Sequence, residues 1–150
     1  MHVVLVEPEI PPNTGSIGRL CAATLTALHL VEPLGFHIDD KHLRRAGLDY
    51  WPYLEVYRHP SWEAFAAAHP EARLLLFSAR AERPYTECRY RRDDFLVFGG
   101  ESHGLPPALR GTHAERLYGI PMASPHVRSL NLATAVGIVL YEGLRQLGQL

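Results

Sequence analysis

Apolar residues along this chain follow two rhythms. Short runs at 3–6, 74–77 and 95–98 are unbroken and rich in Val, Leu and Phe, and those at 28–31 and 117–120 are interrupted only by His29 and Gly119. Such runs predict strands buried on both faces of a parallel sheet. A further strand is expected at 54–57. Between the runs the spacing changes to that of helices. Ile17, Leu20, Cys21, Leu25 and Leu28 recur at helical intervals behind Asn13, read as the cap of the first helix. Asp39 or Asp40 can cap a short helix through Arg45 that ends near Gly47, and Ser61 starts another through Ala68, closed by Pro70. The last helix is expected to start at Ser129 and to carry Leu132, Val136, Val139, Leu140, Leu144 and Leu147 on its apolar face. Strands alternating with helices predict an α/β fold, a parallel sheet covered on both faces, whose ligands bind beyond the carboxyl ends of the strands.

At 150 residues and 47% hydrophobic, the chain has material for one core, so residues 1–150 are expected to form a single domain. Its formal net charge of −1 provides no overall reason to expect nucleic acid. Charge is nevertheless local: Lys41, Arg44 and Arg45 cluster, as do Arg80, Arg83, Arg89, Arg91 and Arg92. They read either as solvated faces or as a strip that follows phosphates. The two cysteines, Cys21 and Cys88, indicate neither a disulfide framework nor a thiolate metal cluster. No pair of the nine histidines has the spacing of a metalloprotease motif, and no bound metal is expected. No apolar run is long enough for a membrane span or a secretion signal, so a soluble cytoplasmic protein without a membrane partner is expected.

Three loops that follow strands attract the chemistry. In 8–19, Asn13 and Gly15 stand at a helix start and Arg19 about one turn inside, so amides and a guanidinium can address a phosphate; an ordinary cap and surface arginine have the same pattern. In 98–107, Gly99, Gly100 and Gly104 do not match a dinucleotide fingerprint, and no P-loop occurs. These glycines either admit a flat heterocycle to the backbone or make a tight turn. Glu101 and His103 are candidates for acid and base, or a solvated pair. In 120–135, Met122 and Pro125 shape an irregular approach to Ser129 and Asn131, while Tyr141 lies deep in the final helix, where a core role competes with a catalytic one.

Taken together, NTGSIGR, FGGESHGLP and IPM followed by RSLNLATAV resemble, in order and separation, the signature set of the SPOUT methyltransferases, the trefoil-knotted superfamily. EPEIPPNTG, EPLGF, DDKHLRRAGLDYW and YEGLRQLG are similar to the subgroup of minimal tRNA 2′-O-methyltransferases that modify the wobble cytidine or uridine, position 34. The resemblance spans the chain. It implies a knot in which the C-terminal segment is threaded through a loop. It also implies S-adenosylmethionine as cofactor, leaving as S-adenosylhomocysteine, held by Phe77, Ser78, Gly99, Gly100, Glu101, Ile120, Met122, Ser129 and Leu130. Asn13 and Asn131 would meet substrate, with Arg19 and Tyr141 catalytic. Arg19 either accepts the ribose proton with help from a phosphate or orients that phosphate and stabilises the forming alkoxide. The resemblance further implies a homodimer with its active site at the interface, gripping a tRNA anticodon stem-loop. Three alternatives stand beside this: the same reaction at another tRNA or rRNA position, a catalytically silent knotted RNA-binding protein, and a nucleotide-dependent dehydrogenase, which lacks its glycine fingerprint here.

Overall fold

The computed structural model describes residues 1–38 and 49–150. The helix expected at 39–45 and the basic residues Lys41, Arg44 and Arg45 lie outside the described residues. Six strands, β1 (His2–Val6), β2 (Ala27–Val31), β3 (Val56–His59), β4 (Leu74–Phe77), β5 (Phe95–Gly99) and β6 (Leu117–Tyr118), form one sheet in the order β3-β2-β1-β5-β4-β6. Every pairing is parallel. The helices are α1 (Pro11–Ala23), α2 (Trp62–Ala68), α3 (Pro107–Thr112) and α4 (Leu132–Gln146).

The uninterrupted apolar runs are explained by two separate layers. Val3, Leu5, Leu28, Leu30 and Leu96 face α1 and α4, packing on Ile17, Cys21, Val136, Val139 and Leu140. Val4, Val6, Val31, Leu76 and Val97 face the other way, onto Phe65 of α2 and Leu109 of α3. Alternate residues of a strand point to opposite sides, so a strand covered on both must be apolar throughout. α1 and α4 lie close enough for a Cβ on Gly137 to sit 3.9 Å from Leu20. Among the described residues, no helix is long and apolar enough to cross a membrane.

Several expected boundaries move. The third strand runs over Val56–His59 rather than 54–57, because Leu54 ends the 3-10 turn Trp51–Tyr53 and packs under α1 as a core residue. The sixth stops at Tyr118 rather than 120; beyond it, Gly119 turns to the 83–85 segment, donating to Arg83 O at 2.8 Å and accepting from Tyr85 N at 2.9 Å. Helix α3, which was not expected, follows Pro106 in a stretch whose single buried side chain, Leu109, offers no periodicity. Ser61 does cap α2, accepting from Ala64 N at 3.1 Å.

The first helix also ends earlier than its pattern suggests. Leu25 and Leu28 do not extend its buried face: Leu28 lies in β2, and Leu25 is 95% exposed with φ at +52°. Thr26 N donates to Cys21 O at 2.9 Å and Leu25 N to Ala22 O at 3.4 Å, the two bonds of a Schellman close with Leu25 where glycine is usual. The left-handed conformation costs a side-chain-bearing residue about 1–2 kcal/mol, and Leu25 recovers almost none of it by burial. Leu25→Gly is therefore expected to stabilise the protein by about 1 kcal/mol, raising Tm by about 2–4 °C in a thermal melt. A lower Tm would show that the turn does not need glycine's freedom.

Candidate functional site

β1 and β5 are neighbours although most of the sheet separates them in sequence. From β1 the chain leaves towards β2 and β3; it returns on the other side through β4 and β5, so a crevice forms at the carboxyl ends of β1 and β5, where connections diverge. Glu7, with φ at +54°, turns the chain out of β1. Pro11 and Pro12 then occupy the first helical positions, where a missing N–H costs nothing, and Ile10 rather than Asn13 stands at the N-cap.

Ile10 has no side-chain oxygen to serve the helix start. That need is met from the second loop. The Glu101 carboxylate accepts from Glu9 N at 2.7 Å, Ile10 N at 3.1 Å and Asn13 Nδ2 at 3.2 Å. A carboxylate at a helix N-terminus is favoured by both the unpaired amides and the macrodipole. Asn13, released from capping and nearly buried, accepts through Oδ1 from Asn131 Nδ2 at 2.9 Å. Asn131 in turn caps α4, its Oδ1 accepting from Thr134 N at 3.2 Å. The expected cap, Ser129, lies exposed in the approach to the helix, and Asn131 is the cap rather than a first-turn residue. Because the Asn131 oxygen is occupied by the cap, its nitrogen must face Asn13, and the Asn13 nitrogen must face Glu101. Donors therefore run one way, from the third loop through the first to the second, ending on a charge.

Glu101 is committed to this chain and is not a free acid or base. His103 beside it is exposed. Ser102 donates through N and Oγ to the Glu9 carboxylate and holds its carboxyl below the usual range, adding a second tie between the loops. The glycines are also required by the turn itself. A Cβ on Gly99 would lie 2.0 Å from the carbonyl carbon of Gly104, and one on Gly100 would lie 2.5 Å from Glu7 O. The loop folds back on itself through Gly104, at φ +66°, and only bare backbone passes there.

These loops enclose a cleft of about 610 Å³. Phe77, Ser78, Gly99, Gly100, Glu101, Ile120, Met122, Ser129, Leu130, Asn13 and Asn131 all line it. Ser78 is fixed by its N–H donating to Tyr118 O at 2.9 Å. Arg80, Arg110 and Arg128 also line the cleft. In the sequence Arg80 stands out only as part of a basic cluster, and Arg110 carries no signal. Arg83, Arg89, Arg91 and Arg92 are exposed nearby in sequence, with Arg83 donating to Glu115 O at 3.0 Å.

Arg19 and Tyr141 do not line the cleft. Arg19 lies six positions beyond Asn13, a rotation of roughly 240° at about 100° per residue, so the two side chains leave α1 on different sides. The Arg19 guanidinium is exposed and stands 5.1 Å from the ring centroid of Tyr50, whose hydroxyl donates to Gly15 O. Tyr141 is 43% exposed on α4, the helix packed on α1. The one-turn spacing thus does not bring Arg19 into the cleft that Asn13 lines.

A sequence profile of the SpoU rRNA Methylase family matches residues 1–141. The tRNA (cytidine(34)-2′-O)-methyltransferase of Escherichia coli K12 is 48% identical, over 99% of this chain and 94% of its own. Among solved structures, one described as giving insight into 2-OH methylation of C/U34 on tRNA superposes with a TM-score of 0.92 at 48% identity, covering 98% of this chain and 95% of that one. A SpoU methyltransferase of Streptomyces viridochromogenes, in complex with the cofactor AdoMet, superposes with a TM-score of 0.80 at 28% identity, covering 97% of this chain and 60% of that one.

Proposed function

This chain belongs to the SpoU rRNA Methylase family, and on that premise we propose that it methylates the ribose 2′-hydroxyl of the wobble nucleotide, cytidine or uridine 34, in tRNA. The observation that carries the proposal is the gathering of all three signature loops into one cleft, in a chain nearly half identical, end to end, to an enzyme named for that reaction.

S-adenosylmethionine fits the cleft. About 610 Å³ is ample for a nucleoside with a short tail, and Leu105, Ile120 and Leu130 offer apolar walls for a flat base beside the backbone of Gly99 and Gly100. When bound, the cofactor supplies an electrophilic methyl carbon on a sulfonium sulfur. Glu101, Asn13 and Asn131 are positioning residues, holding the three loops at the spacing the cofactor and ribose require. The C-terminal segment is threaded through a loop as a trefoil knot, a reading that rests on the resemblance.

The ribose oxygen must lose its proton as it attacks. A guanidinium, with a pKa above about 12, is a poor acceptor but a strong, forked donor to oxyanions. Arg19 therefore orients a substrate phosphate and stabilises the forming alkoxide while the proton passes to solvent water, and Tyr141 is a further catalytic group. Both are directed away from the cleft of their own chain, which supports a homodimer in which α1 and α4 of one protomer approach the cleft of its partner. Two copies also double the exposed arginines available to an anticodon stem-loop, offsetting the near-neutral charge. Such an enzyme works in the cytoplasm.

The test is transfer of labelled methyl from S-adenosylmethionine to unfractionated tRNA from a strain lacking the gene, followed by nucleotide mapping. A 2′-O-methyl label confined to position 34 is the expected result. Label at another nucleotide would move the target, and cofactor binding without transfer to any RNA would leave only a silent RNA-binding protein.

A further inference from the structure

The face of the sheet opposite α1 and α4 holds a cluster for which the methyl-transfer chemistry has no use. His29 of β2, His59 at the end of β3 and His69 at the C-cap of α2 each offer one ring nitrogen, the three atoms within 4.8 Å of one another. His29 is 1% and His59 9% exposed. His69 is half-buried and leaves one side of the cluster facing water. We propose that these three imidazoles form a binding site for a divalent transition-metal ion, with zinc as its plainest occupant.

Three features support a site over a chance stack. His29 Nδ1 and His59 Nε2 are 3.0 Å apart. Two imidazole nitrogens at about 2.0–2.1 Å from a tetrahedral zinc stand about 3.3 Å apart, so a small opening of this pair admits an ion. On its other edge, His29 Nε2 lies 3.1 Å from His2 Nδ1. This contact holds the His29 ring from its far edge, and in the tautomer where Nε2–H donates to His2, Nδ1 is bare for an ion. Phe65 and Phe95 pack against the rings, so the imidazoles are held and their surroundings dry.

Three nitrogen ligands and an open fourth position suit imidazole-preferring ions and exclude the oxygen-seeking calcium and magnesium. The ion would tie β2, β3 and α2 together at the edge of the sheet. Spacing in sequence concealed it, because the ligands come from three elements and share no motif.

The full-length protein is stripped with a chelator and titrated with Zn²⁺ by calorimetry and by thermal melting. His69→Ala removes the half-buried ligand and leaves the strands intact; His113→Ala, a half-buried C-cap histidine of α3 outside the cluster, is the matched control. One equivalent should bind, with Tm raised by about 5–10 °C at a hundredfold excess over Kd. In His69→Ala the affinity should fall by about tenfold or more, while His113→Ala behaves as wild type. Failure of the wild type to take up one equivalent overturns the proposal, as does undiminished binding by His69→Ala, or equal loss in both variants.

Discussion

Arg19→Ala should lower kcat/KM for methyl transfer to tRNA by about 10²–10³-fold, the usual loss when a group that stabilises developing negative charge is removed. The melting temperature should hardly change, since the guanidinium is exposed and its contact in its own chain is with the face of Tyr50. Arg19→Lys should not restore the rate, because a point charge lacks the fork that spans phosphate and ribose oxygen. The partner arrangement can be read in the same assay. Mixing Arg19→Ala with a cleft variant such as Gly100→Val, each inactive alone, should restore part of the activity through mixed dimers carrying one intact composite site. No recovery on mixing would place Arg19 and the cleft in the same protomer's site, and a rate near wild type for Arg19→Ala would remove Arg19 from catalysis.

Glu101→Ala should be costly to stability and to binding together. Two backbone amides at the start of α1 and the Asn13 amide lose their shared acceptor. Buried bonds to a charged acceptor contribute about 1.5–3 kcal/mol each, less where water can take the acceptor's place. With the site half open to solvent, a net loss of about 2–3 kcal/mol is expected, lowering Tm by about 5–10 °C. The affinity for S-adenosylhomocysteine, measured by calorimetry, should fall about tenfold, as 1.4 kcal/mol of the loss is felt at the cleft. Glu101→Gln retains one acceptor but sets an amide NH2 against another donor, so it should recover only part of both. If Tm and affinity stay at wild-type values, the Glu101–Asn13–Asn131 chain does not organise the cleft.

The strands were legible in the sequence wherever burial on both faces made them continuous: 3–6, 74–77 and 95–98 fall within or on the observed strands. Short runs with mixed exposure were not. In β3, Tyr57 and Arg58 are exposed, so no apolar run marks its ends. Eleven of the thirteen candidate site residues line the cleft. Asn13, Gly99, Gly100, Glu101, Met122, Ser129 and Asn131 are readable from loops that follow strands, where the strand ends of an α/β sheet converge; Phe77, Ser78, Ile120 and Leu130 come from the resemblance. The catalytic roles of Arg19 and Tyr141 come from the resemblance, and neither lines the cleft of the single chain.

Local rules alone determined the alternation of strands and helices, the two-sided burial of the sheet, Ser61 as a cap and the loops in which chemistry would lie. These depend on neighbours a few residues apart, whose spacing the chain itself sets. Only the tertiary structure decided which polar groups meet. Glu101 replaces the cap expected at Asn13 from 88 positions away, and Asn13 pairs with Asn131 across 118. The three histidines at 29, 59 and 69 converge because β2 and β3 are adjacent and α2 folds back over them. An unpaired donor or carboxylate specifies what kind of partner it needs, but the order of strands in the sheet determines which residue arrives to meet it.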